Sequence, residues 1–195
     1  YVGSNATVLV DRCKFSNNSS YNSSSSDGTC IYSEGNITIQ NCLFYDNESN
    51  YSSDNGHVYI DDGTAKIVNC TFTENLQGTP VYLYDDGGTP TEIINCLFYN
   101  NSSSSDIYEK HTSSPYPTVS YSYYESRNGG FNSAAETGNL TSGAVNFLDA
   151  PNDNFGITNS SVCLNAGTAN GTPLVDIEGN QRNTDGLGFD IGAFE

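Results

Sequence analysis

The residues whose spacing could do chemistry are carboxylates. Two glycine-bearing acidic turns, DDGT at 61–64 and DDGGT at 85–89, put Asp61, Asp62, Asp85 and Asp86 at matching positions, with Glu34 and Glu109 near the same edge. A stacked column of carboxylates could bind Ca²⁺ through oxygen ligands. Paired across a groove, two carboxylates could hydrolyse a glycosidic bond. The bland reading is a solvated turn, because the chain is acidic everywhere: 23 Asp+Glu against six Lys+Arg, a formal net charge of −17. A lyase acting on acidic polysaccharides needs a base and cations that neutralise the substrate. The basic residues Arg12, Lys14, Lys66, Lys110, Arg127 and Arg182 are scattered instead, and Lys14 and Lys66 fall at different repeat positions. His57 and His111 have no Cys or His neighbour at ligand spacing and read as surface residues. There is no nucleophile elbow, phosphate loop or dinucleotide fingerprint. The acidic turn is thus the one Ca²⁺ candidate; no cofactor is required, and covalent glycans are a further candidate addition.

The charge also excludes partners. Nucleic acid needs basic patches, and so does an anionic membrane surface. The apolar runs are a few residues long, so no segment inserts into a bilayer. The opening YVGSNATVLV has neither a basic start nor a signal-peptide core. Either a signal was removed or the chain is a piece of a longer protein. Few lysines, abundant Asn, Ser, Thr and Gly, and six cysteines point to an extracellular or cell-surface setting.

The elements that must position these residues come from a repeat. Four copies of C-x-F-x-x-N begin at Cys13, Cys42, Cys70 and Cys96, spaced by 29, 28 and 26 residues, with a degenerate fifth at Ser122. Upstream of each Cys lie alternating apolar pairs, Val8/Val10, Ile37/Ile39 and Ala65/Ile67, then Thr91/Ile93. Residues two apart share one face of a strand. A third apolar segment follows around Tyr32, Tyr59, Tyr82 and Tyr108. Three short strands per 26–29 residues predict an all-β right-handed parallel β-helix, a solenoid of about six to seven coils. Residues 1–127 hold the regular coils, and 128–195 the C-terminal coils and closing segment of the same domain. Stacking at about 4.8 Å places like on like. Phe15, Phe44, Phe72 and Phe98 form the main inward column. The four repeat cysteines form a second, as buried unpaired thiols. Asn18, Asn47, Asn75 and Asn101 occupy a corner where Asn tolerates the left-handed conformation and amides can bond along the axis.

The repeats resemble those of chlamydial polymorphic outer-membrane proteins. The ending is more specific: TVSYSYYESRNGG at 118–130, SSVCLNAG at 160–167 and DIEGNQRNTDGLGFDIGAFE at 176–195 resemble the close of choice-of-anchor Q domain proteins. Gly143-Ala144 and Ser161-Val162 stand where that family has Asp-Pro and Ser-Pro. The resemblance implies a secreted surface protein of this shape and no reaction. Asp176, Arg182 and Asp190 are expected to form a charged knot tying the last segment onto the final coil.

Thirteen N-x-[ST] sequons occur, beginning at Asn5, Asn17, Asn18, Asn22, Asn36, Asn47, Asn50, Asn69, Asn100, Asn101, Asn139, Asn159 and Asn170. A stacked Asn cannot carry a glycan, so the expected sites are Asn5, Asn22, Asn36, Asn50, Asn69, Asn139, Asn159 and Asn170. The sequence reading is a non-enzymatic extracellular structural protein, a subunit of a surface layer or head-to-tail filament whose partners are copies of itself and glycans. The alternative is an adhesin or carbohydrate-binding stalk using Tyr32, Tyr59, Tyr82 and Tyr108 as surface residues. A polysaccharide lyase or hydrolase comes third.

Overall fold

In the computed structural model, described for residues 1–21, 28–49, 55–84, 90–110, 115–182 and 186–195, the chain winds into a parallel β-solenoid of three sheets. The first sheet stacks Thr7–Asp11, Asn36–Gln40, Ala65–Val68, Glu92–Ile94 and Thr118–Ser120. The second stacks Lys14–Ser16, Leu43–Tyr45, Thr71–Thr73 and Leu97–Tyr99. The third stacks Gly28–Ser33, Gly56–Ile60, Thr79–Leu83, Ile107–Glu109 and Arg127–Asn128. Ile39, Ile67, Ile93 and Val119 lie in register, as do the four Phe.

The Phe rings stack at centroid separations of 4.7, 4.5 and 4.8 Å. Beside them Cys42, Cys70 and Cys96 are fully buried, and all six cysteines are free thiols. Each repeat Sγ donates to the carbonyl two residues back, as in Cys42 to Gln40 at 3.1 Å and Cys70 to Val68 at 3.3 Å. Ser122 makes the same bond to Ser120 at 3.0 Å, so the degenerate fifth copy keeps the contact with an oxygen. Burial and the neighbouring thiols push the Cys70 pKa far up, which leaves it unreactive.

The bend before each Cys is made by one residue in the left-handed region: Arg12, Asn41, Asn69, Asn95 and Tyr121, with φ between 49° and 53°. The next corner again uses one such residue, Asn17, Asp46, Glu74 or Asn100. This corrects the expectation for the ladder asparagines. The residue before each of them takes the strained conformation, and the ladder Asn supplies only its amide.

The coil count is lower than six to seven, since the longest stacks hold five strands. After Arg127–Asn128 the described residues coil on only as far as Leu140, which bridges parallel to Tyr123. Residues 129–140 turn across the end of the solenoid. Phe131 plugs the core there, under the Arg127 guanidinium 4.5 Å above its ring. Arg127 donates to Glu136 at 2.6 Å, and Glu136 accepts the Val119 amide at 3.1 Å. Tyr121 donates to the Thr137 carbonyl, and Tyr124 to that of Leu140. These bonds satisfy part of the first- and second-sheet edge, while Arg127–Asn128 at the end of the third sheet keeps a single neighbouring strand.

Beyond residue 140 the chain runs back along the outer face of the second sheet. Its only strands among the described residues are the antiparallel pair Phe147–Asp149 and Asn154–Ile157. Leu97 packs with Val145, Cys163 and Ile191, and Leu43 with Phe155, Ile177 and Ala193. Apolar residues on both faces of those strands therefore have a cause: one face meets the core, the other this belt.

Candidate functional site

On the outer face of the first sheet lies a groove of about 420 Å³, lined by Thr7, Asn36, Thr38, Thr64, Lys66 and Glu92, among others. Strand alternation builds it: Ile37, Ile39, Ala65 and Ile67 turn inward, which sends Thr38 and Lys66 out. Lys66 Nζ stands 3.9 Å from Glu92 Oε2. Asn36 Oδ1 accepts the Thr64 amide at 3.0 Å. The floor can hydrogen-bond hydroxyl groups. Among the described residues its one cation is paired, and no imidazole or aromatic ring lines it.

The acidic turn is spent on the fold where it is described. Asp61 accepts the Tyr32 phenol. Asp62 accepts the Gly63 amide at 2.7 Å, a local turn bond. Glu34 accepts the Tyr1 phenol at 2.6 Å, while Glu109 is buried in the third sheet. Asp85 and Asp86 lie outside the described residues. Among the described residues no group of three or more His, Cys, Asp or Glu is arranged to hold a metal ion. Among the described residues, Asp61 and Asp62 are therefore not grouped with a third ligand.

Two surface expectations are corrected. His57 is fully buried, and among the described residues no group meets its ring nitrogens with hydrogen-bond geometry. Burial pushes its pKa down to about 4, so the ring is neutral at pH 7. His111 lies outside the described residues. The tyrosines form an outward ladder with centroids 5.4, 4.9 and 5.0 Å apart, and Tyr1 stacks on Tyr32. Tyr59 is 2% exposed and Tyr82 0%, so the centre of this column offers no platform to a sugar.

The sequons divide. Asn5, Asn36, Asn159 and Asn170 are exposed. Asn22 and Asn50 lie outside the described residues. Asn69 is buried at a left-handed bend, its Nδ2 donating to the Gly192 carbonyl at 3.3 Å. Asn139 is half-buried, donates to Val119 O at 2.6 Å and accepts the Ser122 amide. Both were expected to be outward sites, and both instead hold backbone.

Sequence reading missed what the bend asparagines do. Asn41 accepts from Arg182 at 3.1 Å, Asn69 donates to Gly192 O, and Asn95 exchanges two bonds with Thr168, at 2.8 and 2.9 Å. Each of the three rungs crossed by the belt holds it with one amide. The signal was present as the dipeptide Asn-Cys at 41–42, 69–70 and 95–96, replaced by Arg12 and Tyr121 in the outer rungs. The charged knot exists but sits on the second rung, through Asn41, rather than on the final coil. Its ion pair is Arg182 with Glu195, at 3.2 Å. Asp176 instead accepts the Glu178, Asn180 and Glu195 amides, and Asp190 accepts that of Asn165 at 2.7 Å. A further unforeseen cluster joins Asp46 and Glu74 with Asp153. Burial first, then the facing carboxylates, raises the pKa of Asp46 and of Glu74.

The chain belongs to the right-handed β-helix family, whose model matches residues 1–161. No curated protein and no solved structure matches it. No described helix is long and apolar enough to cross a membrane.

Proposed function

We propose that this chain is a non-enzymatic structural protein of the extracellular surface, a stiff rod segment carrying glycans on its exposed asparagines. The observation that supports this reading is the use made of its reactive side-chain types. Asn, Tyr and Cys96 are engaged rung to rung, Asp61 by a phenol, and Arg182 by the belt. Side chains committed this way give stiffness and leave little that converges on a substrate. The ending's likeness to choice-of-anchor Q domain proteins supports the surface location. A structural role calls for no cofactor.

The alternative, a carbohydrate-binding stalk, draws its support from the groove beside Lys66 and Glu92 rather than from the tyrosines. Incubation with neutral and acidic polysaccharides, with and without Ca²⁺, is expected to yield no new reducing ends and no unsaturated uronate. Turnover that disappears in Lys66→Ala or Glu92→Gln would replace the structural reading with an enzymatic one.

Glycan placement gives a second check. Secreted from a glycosylating cell, the protein is expected to carry sugar on Asn5, Asn36, Asn159 and Asn170. Peptide mapping should find Asn69 and Asn139 bare, because their Nδ2 atoms are bonded inside the fold. Sugar on Asn69 in folded protein would mean that the belt does not lie where it is described.

A further inference from the structure

We infer that the outer face of the belt hairpin seats a sugar: an N-acetylhexosamine linked to Asn159 folds back onto Leu148 and Ile157 of its own chain. The inference rests on the glycan-carrying reading above and deepens it, because it gives one sugar a place in the fold.

The seat is a recess of about 470 Å³ walled by Leu148, Ile157, Thr158, Asn159 and Ser160. Strand alternation makes its apolar floor. Phe147 turns inward against Tyr99 and Phe155, which sends Leu148 out, 59% exposed. Gly156 shapes the floor from the facing strand. A Cβ there would lie 2.9 Å from Leu148 Cδ1, so Leu148 lies across the bare glycine. The φ of Gly156 is outside the left-handed region, so the backbone does not demand glycine at this position. What the glycine supplies is space.

The glycan acceptor belongs to the wall of this recess. The Ser161 amide donates to the Thr158 carbonyl at 3.0 Å and closes a turn with Asn159 at its tip. Asn146 Nδ2 pins that turn by donating to the Ser160 carbonyl and hydroxyl, both at 3.3 Å. Asn159 is exposed, and among the described residues its side chain makes no hydrogen bond. Asn36 also lines a groove, yet its Oδ1 is spent on the Thr64 amide.

Complementarity names the occupant. None of the five wall residues is charged, which suits a neutral ligand. The apolar ring face and acetamido methyl of an N-acetylhexosamine match Leu148 and Ile157. Its hydroxyls match the rim, where Thr158 Oγ1 and Ser160 Oγ stand 3.0 Å apart and each keeps hydrogen-bonding capacity. The covalent link holds the sugar at high effective concentration, so contacts too weak to capture a free sugar are enough to seat a tethered one.

The test uses the protein secreted from a glycosylating cell and trimmed by an endoglycosidase to a single N-acetylglucosamine at each site. Mass mapping reads occupancy first. Thermal unfolding then compares Asn159→Gln with its parent, in wild type and in Leu148→Ser, whose exposed position leaves folding intact. Loss of the Asn159 sugar is expected to lower Tm by on the order of 2–4 °C in wild type and by less than about 1 °C in Leu148→Ser. A nuclear Overhauser contact between the acetyl methyl and the Leu148 methyls is expected in wild type, and that reading needs no variant. Equal Tm losses in the two backgrounds, or an acetyl methyl without contact to Leu148, would overturn the seat while leaving the glycan-carrying reading in place. Sugar on Asn5, Asn36 and Asn170 with Asn159 bare would do the same. Sugar on none of the four would remove both.

Discussion

Arg182→Met is expected to destabilise the protein by roughly 3–5 kcal/mol, the usual cost of removing one partner from a buried, hydrogen-bonded charge pair. The guanidinium side chain is fully buried. It donates to the carbonyls of Val175, Gly192, Ala193 and Phe194, to Asn41 Oδ1 and to Glu195. Methionine fills much of the volume and satisfies none of those acceptors. The C-terminal belt would lose its grip on the second rung. A chain of this size loses about 2–4 °C of Tm per kcal/mol, so a fall on the order of 10 °C is expected. Hydrogen exchange is expected to show the loss in residues 174–195 first, before the solenoid opens. Arg182→Lys restores the charge without the planar fork and is expected to recover only part of the stability. Equal protection of the belt in wild type and Arg182→Met would remove Arg182 from this role.

The solenoid was legible because each rung repeats the same demand. Phe15, Phe44, Phe72 and Phe98 recur at near-constant spacing only if each sits on the last, and Ile39, Ile67 and Ile93 recur for the same reason. The belt was not legible because it makes no repeat. Its contacts are one-off pairs such as Ala193 with Thr71 and Phe155 with Tyr45, more than a hundred residues apart in sequence. Exposure misled for the same reason. Asn69 is a polar side chain at a bend and His57 one in the strand Gly56–Ile60, and only tertiary covering, invisible to local pattern, buries them. Gly192 shows how specific that covering is. It has φ +117°, and a Cβ there would lie 2.8 Å from Thr71 Oγ1, so the belt passes too close to the sheet for any side chain.

The groove is similarly split between pattern and fold. Thr38 and Lys66 could be placed on an outward face from alternation alone. Their meeting with Glu92 and Thr7 depends on the register between rungs, which the slightly unequal spacings of 29, 28 and 26 residues leave open. Register also decides the fate of the acidic turns. Asp61 falls one rung from Tyr32 and becomes the acceptor for its phenol, a pairing that removes a carboxylate from any metal site.

Asn75→Ala is expected to cost about 3 kcal/mol or more, counting at least ~1 kcal/mol for each buried group left without its partner. The side chain is 1% exposed. Its Oδ1 accepts the Asn47 amide at 3.1 Å and Asn47 Nδ2 at 2.9 Å. Its Nδ2 donates to Phe44 O at 3.0 Å and to Asn101 Oδ1 at 2.9 Å. Truncation leaves three groups of the second rung short of a partner and takes one of two donors from Asn101 Oδ1, which keeps the Asn75 backbone amide. Asn18→Ala provides the internal control, because Asn18 is exposed at the end of the same ladder and water replaces what it loses. The expected order by chemical denaturation is therefore a large loss for Asn75→Ala and Asn47→Ala, and a loss below about 1 kcal/mol for Asn18→Ala. Asn75→Asp is informative in the opposite sense. It keeps the acceptor and volume but removes both donors, and its buried charge would oppose folding above its own pKa. Its stability is expected to rise as pH falls and the carboxyl takes up a proton, which restores one donor. Equal effects at positions 18 and 75 would show that the amides do not act as a ladder, and the rod would then owe its stiffness to the Phe column alone.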